Sequence, residues 1–198
     1  MNTYHPKYSD QRDAIDWSRK VLRRKKKHVI LDSETTGLGK TDEIIQLAII
    51  DLDGNTLFNE NIRPTKKKRI SSDATEIHGL TMDKLSDCPT FSELKVPLKA
   101  FLRRKTIITY NASFDKRLYR QSWQLADGYI PKGDWDCAML EYAKFVGEWN
   151  DYHENYKWQK LEGGDHTALG DCLATLEIIR SMASAVKLEK RHEFWIGK

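Results

Sequence analysis

The stretch His28-Val29-Ile30-Leu31-Asp32-Ser33-Glu34-Thr35-Thr36-Gly37 sets an apolar run directly before two acids and a glycine turn. The run reads as a short buried strand. Side chains at i and i+2 of a strand share a face, so Asp32 and Glu34 project together where the strand ends. Two carboxylates held that close repel, and one takes a proton unless a cation sits between them. Hard oxygen donors of this kind suit Mg²⁺ or Mn²⁺ rather than zinc. Gly37 permits a tight turn whose backbone N–H groups can face a ligand. Standing alone, the pair would be a strand end with two solvated acids.

Upstream of this strand, Ala14, Trp17, Val21 and Leu22 recur at helical spacing between Asp10 and Lys26, which predicts an amphipathic helix with a basic C-terminal end. Residues 1–9 read as a loose tail. Downstream, Glu43 to Asp53 and Thr56 to Arg63 read as two further strands joined at Asp53-Gly54. Short helical pieces follow around Gly79, then a longer helix from Thr90 to Arg104, bent at Pro97. Thr106 to Tyr110 reads as a β-branched strand, with a helix from Ser113 to Leu125 behind it. A brief strand at Trp135-Asp136 leads to a helix near Ala138–Val146, and Gly147 to Asp165 is irregular and aromatic-rich. Thr167 to Met182 is the clearest helix, with Leu169, Cys172, Leu173, Leu176 and Ile179 as its apolar stripe. Strands that come first as a hairpin and then alternate with helices imply an α/β domain, a mixed sheet covered by helices.

The 198 residues suit one domain with modest extensions. Six Trp, eight Tyr and six Phe are too many for a disordered chain, although 31% of residues are charged. No apolar stretch approaches the ~20 residues of a membrane span, and the N-terminus lacks the apolar core of a secretory signal. Cys88, Cys137 and Cys172 form no close pair, so neither a disulfide framework nor a zinc knuckle is indicated, and Cys137 and Cys172 read as buried small residues. The expectation is a soluble, cytoplasmic protein. Its net charge of +4 is gathered into three runs, Arg23–Lys27, Lys66–Arg69 and Arg103–Lys105. Such runs neutralise phosphates in a salt-dependent way, or else are solvated helix ends and loops.

Two further elements join the first. Asn111-Ala112-Ser113-Phe114-Asp115 follows a strand and opens a helix, with Ser113 as the expected N-cap and Asp115 in the first turn, near the positive end of the dipole. His166-Thr167-Ala168-Leu169-Gly170-Asp171 starts the last helix. Five positions along one continuous helix are about 140° apart, so His166 and Asp171 converge only if Thr167 is the N-cap and His166 lies in the loop before it. The spacing itself recurs at His5/Asp10 and His78/Asp83, and only the last pair opens a strong helix. The pattern Asp-x-Glu-Thr-Thr-Gly is far more demanding, with a chance match on the order of one in several thousand.

Taken together, Asp32, Glu34, Asp115, His166 and Asp171 resemble, in order and spacing, the motifs of the DEDDh family of 3′→5′ exonucleases, the group that includes the proofreading subunit of bacterial replicative polymerase. The likeness spans about Val29 to Met182, and Glu76-Ile77-His78-Gly79-Leu80-Thr81 is similar to a segment of the polymerase-associated branch. The resemblance implies a ribonuclease H-like fold, a mixed five-stranded sheet whose first three strands are antiparallel. The expected division is a tail and basic helix over 1–27, an exonuclease domain over 28–183 and an extension over 184–198.

The resemblance further implies that Asp32, Glu34, Asp115 and Asp171 hold two Mg²⁺ ions, with Mn²⁺ as a substitute, and that His166 is the general base. Thr35, Thr36, Gly37 and Leu38 would contact the terminal nucleotide, Phe114 would stack on it, and His78 and Asn111 are further candidates. Ser33 stands where the family more often has Thr or an apolar residue, and strand alternation is expected to point it away from the carboxylates. The expected partner is nucleic acid with a free 3′ end, DNA over RNA, with a protein partner in replication, repair or end processing open. Rival readings are an RNA-trimming exoribonuclease and a non-catalytic nucleic-acid adaptor on the same fold. Trp149, Tyr152, Tyr156 and Trp158 read as loop packing, or as a stacking platform for single strands. Ala185 to Trp195 is expected to dock on the domain.

Overall fold

A computed structural model of the protein describes residues 8–66, 69–126 and 128–186. Five strands, β1 (His28–Thr35), β2 (Ile44–Ile50), β3 (Thr56–Asn61), β4 (Thr106–Thr109) and β5 (Asp134–Cys137), form one sheet in the order β3-β2-β1-β4-β5. The β1–β2 and β2–β3 pairs are antiparallel, whereas β1–β4 and β4–β5 are parallel. Around the sheet lie α1 (Tyr8–Arg23), α2 (Ser72–His78), α3 (Phe91–Leu102), α4 (Ala112–Leu125), α5 (Ala138–Val146) and α6 (Ala168–Ser184). This is the mixed, ribonuclease H-like α/β architecture, with the extra N-terminal helix packed on α5 and α6. Among the described residues no helix is long and apolar enough to cross a membrane.

The pleat of β1 decides what meets what. Ile30 faces a layer made with Ala48, Ile50, Ile108 and residues of α1, α5 and α6, including Val21, Met139, Cys172 and Ile179. Val29 and Leu31 face the opposite layer, where α3 and α4 contribute Leu98, Leu118, Tyr119 and Trp123. Each fully buried Ile, Leu or Val contributes roughly 1.5–3 kcal/mol, so a slip of β1 by one residue would empty both layers at once. The same alternation carries past the apolar run. Asp32 and Glu34 continue the α6 side, and Ser33 continues the α4 side.

Several local expectations are corrected. Ser113 is not the N-cap of α4; Asn111 holds that position, and the Ser113 hydroxyl donates to Asn111 Oδ1 at 2.8 Å. Leu173 is 40% exposed, on the outer side of α6 and not in its buried stripe. Cys172 is fully buried, but Cys137 is only half-buried, its thiol against the Tyr110 carbonyl. The stretch 147–165 contains a small hairpin of β6 (Trp149–Asn150) and β7 (Asn155–Tyr156). There Trp149 meets Tyr156 edge to face at 5.2 Å, and the Tyr156 hydroxyl reaches Asp10 on α1 at 2.6 Å, so these two rings pack. Tyr152 and Trp158 stay exposed. Lys67, Lys68 and all but the first two residues of the stretch from Ala185 to Trp195 lie outside the described residues.

Candidate active site

Asp32 and Glu34 leave β1 beside the start of α6, and the first turn of α6 is built to meet them. Thr167 is its N-cap, accepting from Gly170 N–H at 3.0 Å, while Ala168 N–H donates to Gln46 Oε1 of β2 at 2.8 Å. His166 therefore lies in the loop before the helix, in the left-handed region at φ +61°. That turn aims the Asp165 and His166 N–H groups at Asp171 Oδ1, at 3.1 and 3.2 Å. Asp165 in turn accepts from the Thr167 N–H and hydroxyl. Two glycines make room: a side chain at Gly170 would run into the Asp165 carboxylate, and one at Gly164 would come within 2.7 Å of Asp171 Oδ1. One carboxylate oxygen from each of Asp32, Glu34 and Asp171 then falls within 4.8 Å of the others.

Asp115 arrives from the other layer. It is buried in the first turn of α4, and the Ser33 hydroxyl donates to its Oδ1 at 2.8 Å. Ser33 does point away from Asp32 and Glu34, but the expectation that it leaves the carboxylates is overturned, because α4 brings Asp115 to the face Ser33 occupies. Asp115 is not one of the three acids within 4.8 Å, yet its charge bears on Asp32 and Glu34.

Burial and mutual repulsion push these acids toward protonation. Asp32 is raised well above the carboxylate range, by loss of water first and then by Asp115, Asp171 and Glu34. Glu34 is raised to about 7, chiefly by burial and then by Asp171 and Asp115. Asp115 is also raised to about 7 by burial, against the lowering pull of the Ser33 hydroxyl. Asp171 is raised by burial and held back by the His166 N–H and the nearby imidazole. A cluster of oxygens that cannot all ionise by themselves, and that offers neither nitrogen nor sulfur, fits a hard divalent cation. The donor set therefore matches the divalent metals expected of it.

Beside the acids opens a cleft of about 550 Å³, lined on one wall by Thr35 to Leu38 and Phe114 and on the other by Ser71, Ile77 and His78. The loop after β1 is stiffened from within. Thr35 Oγ1 donates to the Gly37 carbonyl, Thr36 Oγ1 donates to Asp42 Oδ1 at 2.7 Å, and Thr36 N–H donates to the Glu43 carbonyl. Arg117 of α4 donates to the carbonyls of Leu38 and Gly39 and lies 5.3 Å from the Phe114 ring centre. The Leu80 N–H donates to His78 Nδ1, so the ring carries its proton on Nε2 and donates to the Thr35 carbonyl at 3.2 Å. Burial lowers the His78 pKa, consistent with that neutral form.

Of the residues expected at the substrate, Thr35, Thr36, Gly37, Leu38, His78 and Phe114 line this cleft, and Leu38 is 79% exposed at its mouth. Asn111 does not line it. Sequence reasoning missed Ser33, Asp42, Arg117 and Asp165. Only Asp165 left a signal, an acid two residues before an N-cap threonine, the spacing of an Asx turn.

Residues 29–179 match the model of a protein family described as Exonuclease. An uncharacterised exonuclease, CP81, of Escherichia phage 186 is 35% identical over 172 residues, which cover 78% of this chain and 87% of that protein. DNA polymerase III subunit epsilon of Buchnera aphidicola subsp. Schizaphis graminum is 29% identical over 128 residues, or 60% of this chain, and the match spans 54% of that longer relative. Among solved structures, the nuclease domain of 3′hExo, a DEDDh family member, bound to rAMP, is similar with a TM-score of 0.60 at 18% identity, covering 81% of this chain and 94% of that one.

Proposed function

The chain belongs to the Exonuclease family, and on that premise we propose that it removes nucleotides from the 3′ end of single-stranded DNA as nucleoside 5′-monophosphates, with two Mg²⁺ ions. The observation that carries this reading is the meeting of Asp32, Glu34 and Asp171 within 4.8 Å beside an open cleft. A non-catalytic adaptor would have no reason to keep acids in so costly an arrangement.

Asp32, Glu34 and Asp171 would hold the ions, and Asp115, steadied by Ser33, would support the second. A divalent metal held there would supply positive charge that makes an attacking water more acidic and offsets charge on the departing 3′ oxygen. His166, on the exposed turn before α6, takes the proton from that water. The two N–H groups on Asp171 Oδ1 fix the orientation of that carboxylate. Because Thr36 N–H is committed to Glu43, the N–H groups of Gly37 and Leu38 are the loop donors left for the terminal 3′-OH. Leu38 presses on the last base and Phe114 stacks. DNA is favoured because the Glu76–Thr81 segment resembles one found in the polymerase-associated branch of the family. The likeness to a DNA polymerase III epsilon subunit agrees with this choice.

The test is incubation with 3′- or 5′-labelled single-stranded DNA, duplex DNA and RNA, in Mg²⁺ and in EDTA. Mononucleotide released first from the 3′ label of single-stranded DNA, and only with Mg²⁺, is the expected result. Release from the 5′ end, faster cleavage of RNA or metal-independent cleavage would each overturn the corresponding part.

A further inference from the structure

We propose that the opposite end of the sheet, where β1 and β4 begin, is a second nucleic-acid site, a groove that grips the phosphodiester backbone of a strand well upstream of the 3′ end being trimmed. The inference rests on the exonuclease reading for the identity of its ligand. Strands β1, β4 and β5 begin in register, His28 opposite Thr106 and Thr106 opposite Asp134. Each is entered through cations: Lys25–Lys27 before β1, Arg103–Lys105 before β4 and Lys132 before β5. Lys105 Nζ donates to the Lys26 carbonyl, which pins two of the three basic runs of the sequence side by side. The last turn of α1 adds Lys20 and Arg23, and Arg23 to Lys27 are all exposed.

Lys20 and Arg23 to Lys27 border a groove of about 750 Å³, with Trp17 and Val21 on its apolar side and Thr106, at the start of β4, also lining it. Acids there are few and mostly committed. Asp53 takes Lys25 Nζ at 2.5 Å, Asp136 accepts from Trp17 Nε1 at 3.2 Å, and Asp134 lies at the rim. Lys20, Arg23, Arg24, Lys25, Lys26 and Lys27 line the groove against Asp134 and Asp136, so a local excess as large as the +4 of the whole chain is held in one small region. A charge run on one helix end is ordinary solvation; six cations lining one concave face, with the run before β4 tied to them through Lys105, fit a polyanion. From His28 to Glu34 the strand alone spans about 20 Å, so one nucleotide in the acidic cleft cannot reach the groove and a long strand can.

The test compares the wild type with a variant carrying Arg23→Gln, Arg24→Gln, Lys26→Gln and Lys27→Gln, which spares the Lys25–Asp53 pair. Two substrates separate the sites: the 4-nitrophenyl ester of thymidine 5′-monophosphate and a single strand of about 30 nucleotides. Ester hydrolysis should stay the same, while kcat/KM on the long strand falls about 10-fold at low salt. Fluorescence anisotropy of the same strand in EDTA should show weaker binding, with a log–log salt slope shallower by about 3. An unchanged affinity and slope, or equal losses on both substrates, would overturn the inference. Were the wild type to hydrolyse neither substrate, the exonuclease reading would fail by itself, and anisotropy would still report on the groove.

Discussion

At the carboxyl end of β1, acids from three elements are crowded out of water and driven toward protonation. At the amino end of the same strand, the lysines and arginines of Lys20 to Lys27 stand in solvent around an open groove. The first arrangement concentrates charge of one sign where water cannot screen it, so it is complete only with a cation. The second spreads charge where water and salt do screen it, so it is stable alone and attracts anions at long range. One end is built for chemistry and the other for holding on.

The sharpest way to break this contrast is Asp32→Asn. Cleavage should fall by about 10³-fold or more, the several kcal/mol that bound metal contributes to the transition state. Strand binding at the far groove, measured in EDTA, should persist; if both vanish together, the two ends are not separate. His166→Ala should cost about 10²–10⁴-fold in rate, with Mn²⁺ binding by calorimetry close to wild type. Full activity of that variant at every pH would remove the histidine from the mechanism. Ser33→Ala should weaken metal affinity about 10–100-fold by freeing Asp115, and Ser33→Thr should restore it. A metal titration that Ser33→Ala leaves unmoved would reduce Ser33 to packing.

The smallest effect concerns stability without metal. Glu34 rises from 4.5 to about 7 and Asp115 from 3.8 to about 7 on folding. Between those limits the folded protein keeps protons that the unfolded chain has released, so stability falls as pH climbs through the window and levels off above about 7. The melting temperature in EDTA should drop by several degrees from pH 4.5 to pH 7.5, and Mg²⁺ should restore more of it at pH 8 than at pH 5. A melting temperature that rises over that range would show that the acids are not crowded as described.

Much of this was legible in the sequence, for identifiable reasons. The β1 run, the shared side of Asp32 and Glu34, and Thr167 as the cap that brings His166 and Asp171 together all follow from local geometry. The role of Ser33 does not. Alternation says which side Ser33 takes, but not that α4 delivers Asp115 to that side, because that depends on how two distant segments pack. The hairpin at Trp149 and Asn155 has strands of two residues each, too short for any periodicity to register. Asp42 and Arg117 look like ordinary polar loop and helix-surface residues until the loop closes on them.

Phe114, Asp115 and Arg117 ride on one turn of α4, so an acid of the cluster, a wall of the cleft and the brace on Leu38 share a single rigid lever. A rocking of that helix would shift all three in concert. In the proposed function, a nucleotide seated against Phe114 would therefore bear on the same turn that carries Asp115.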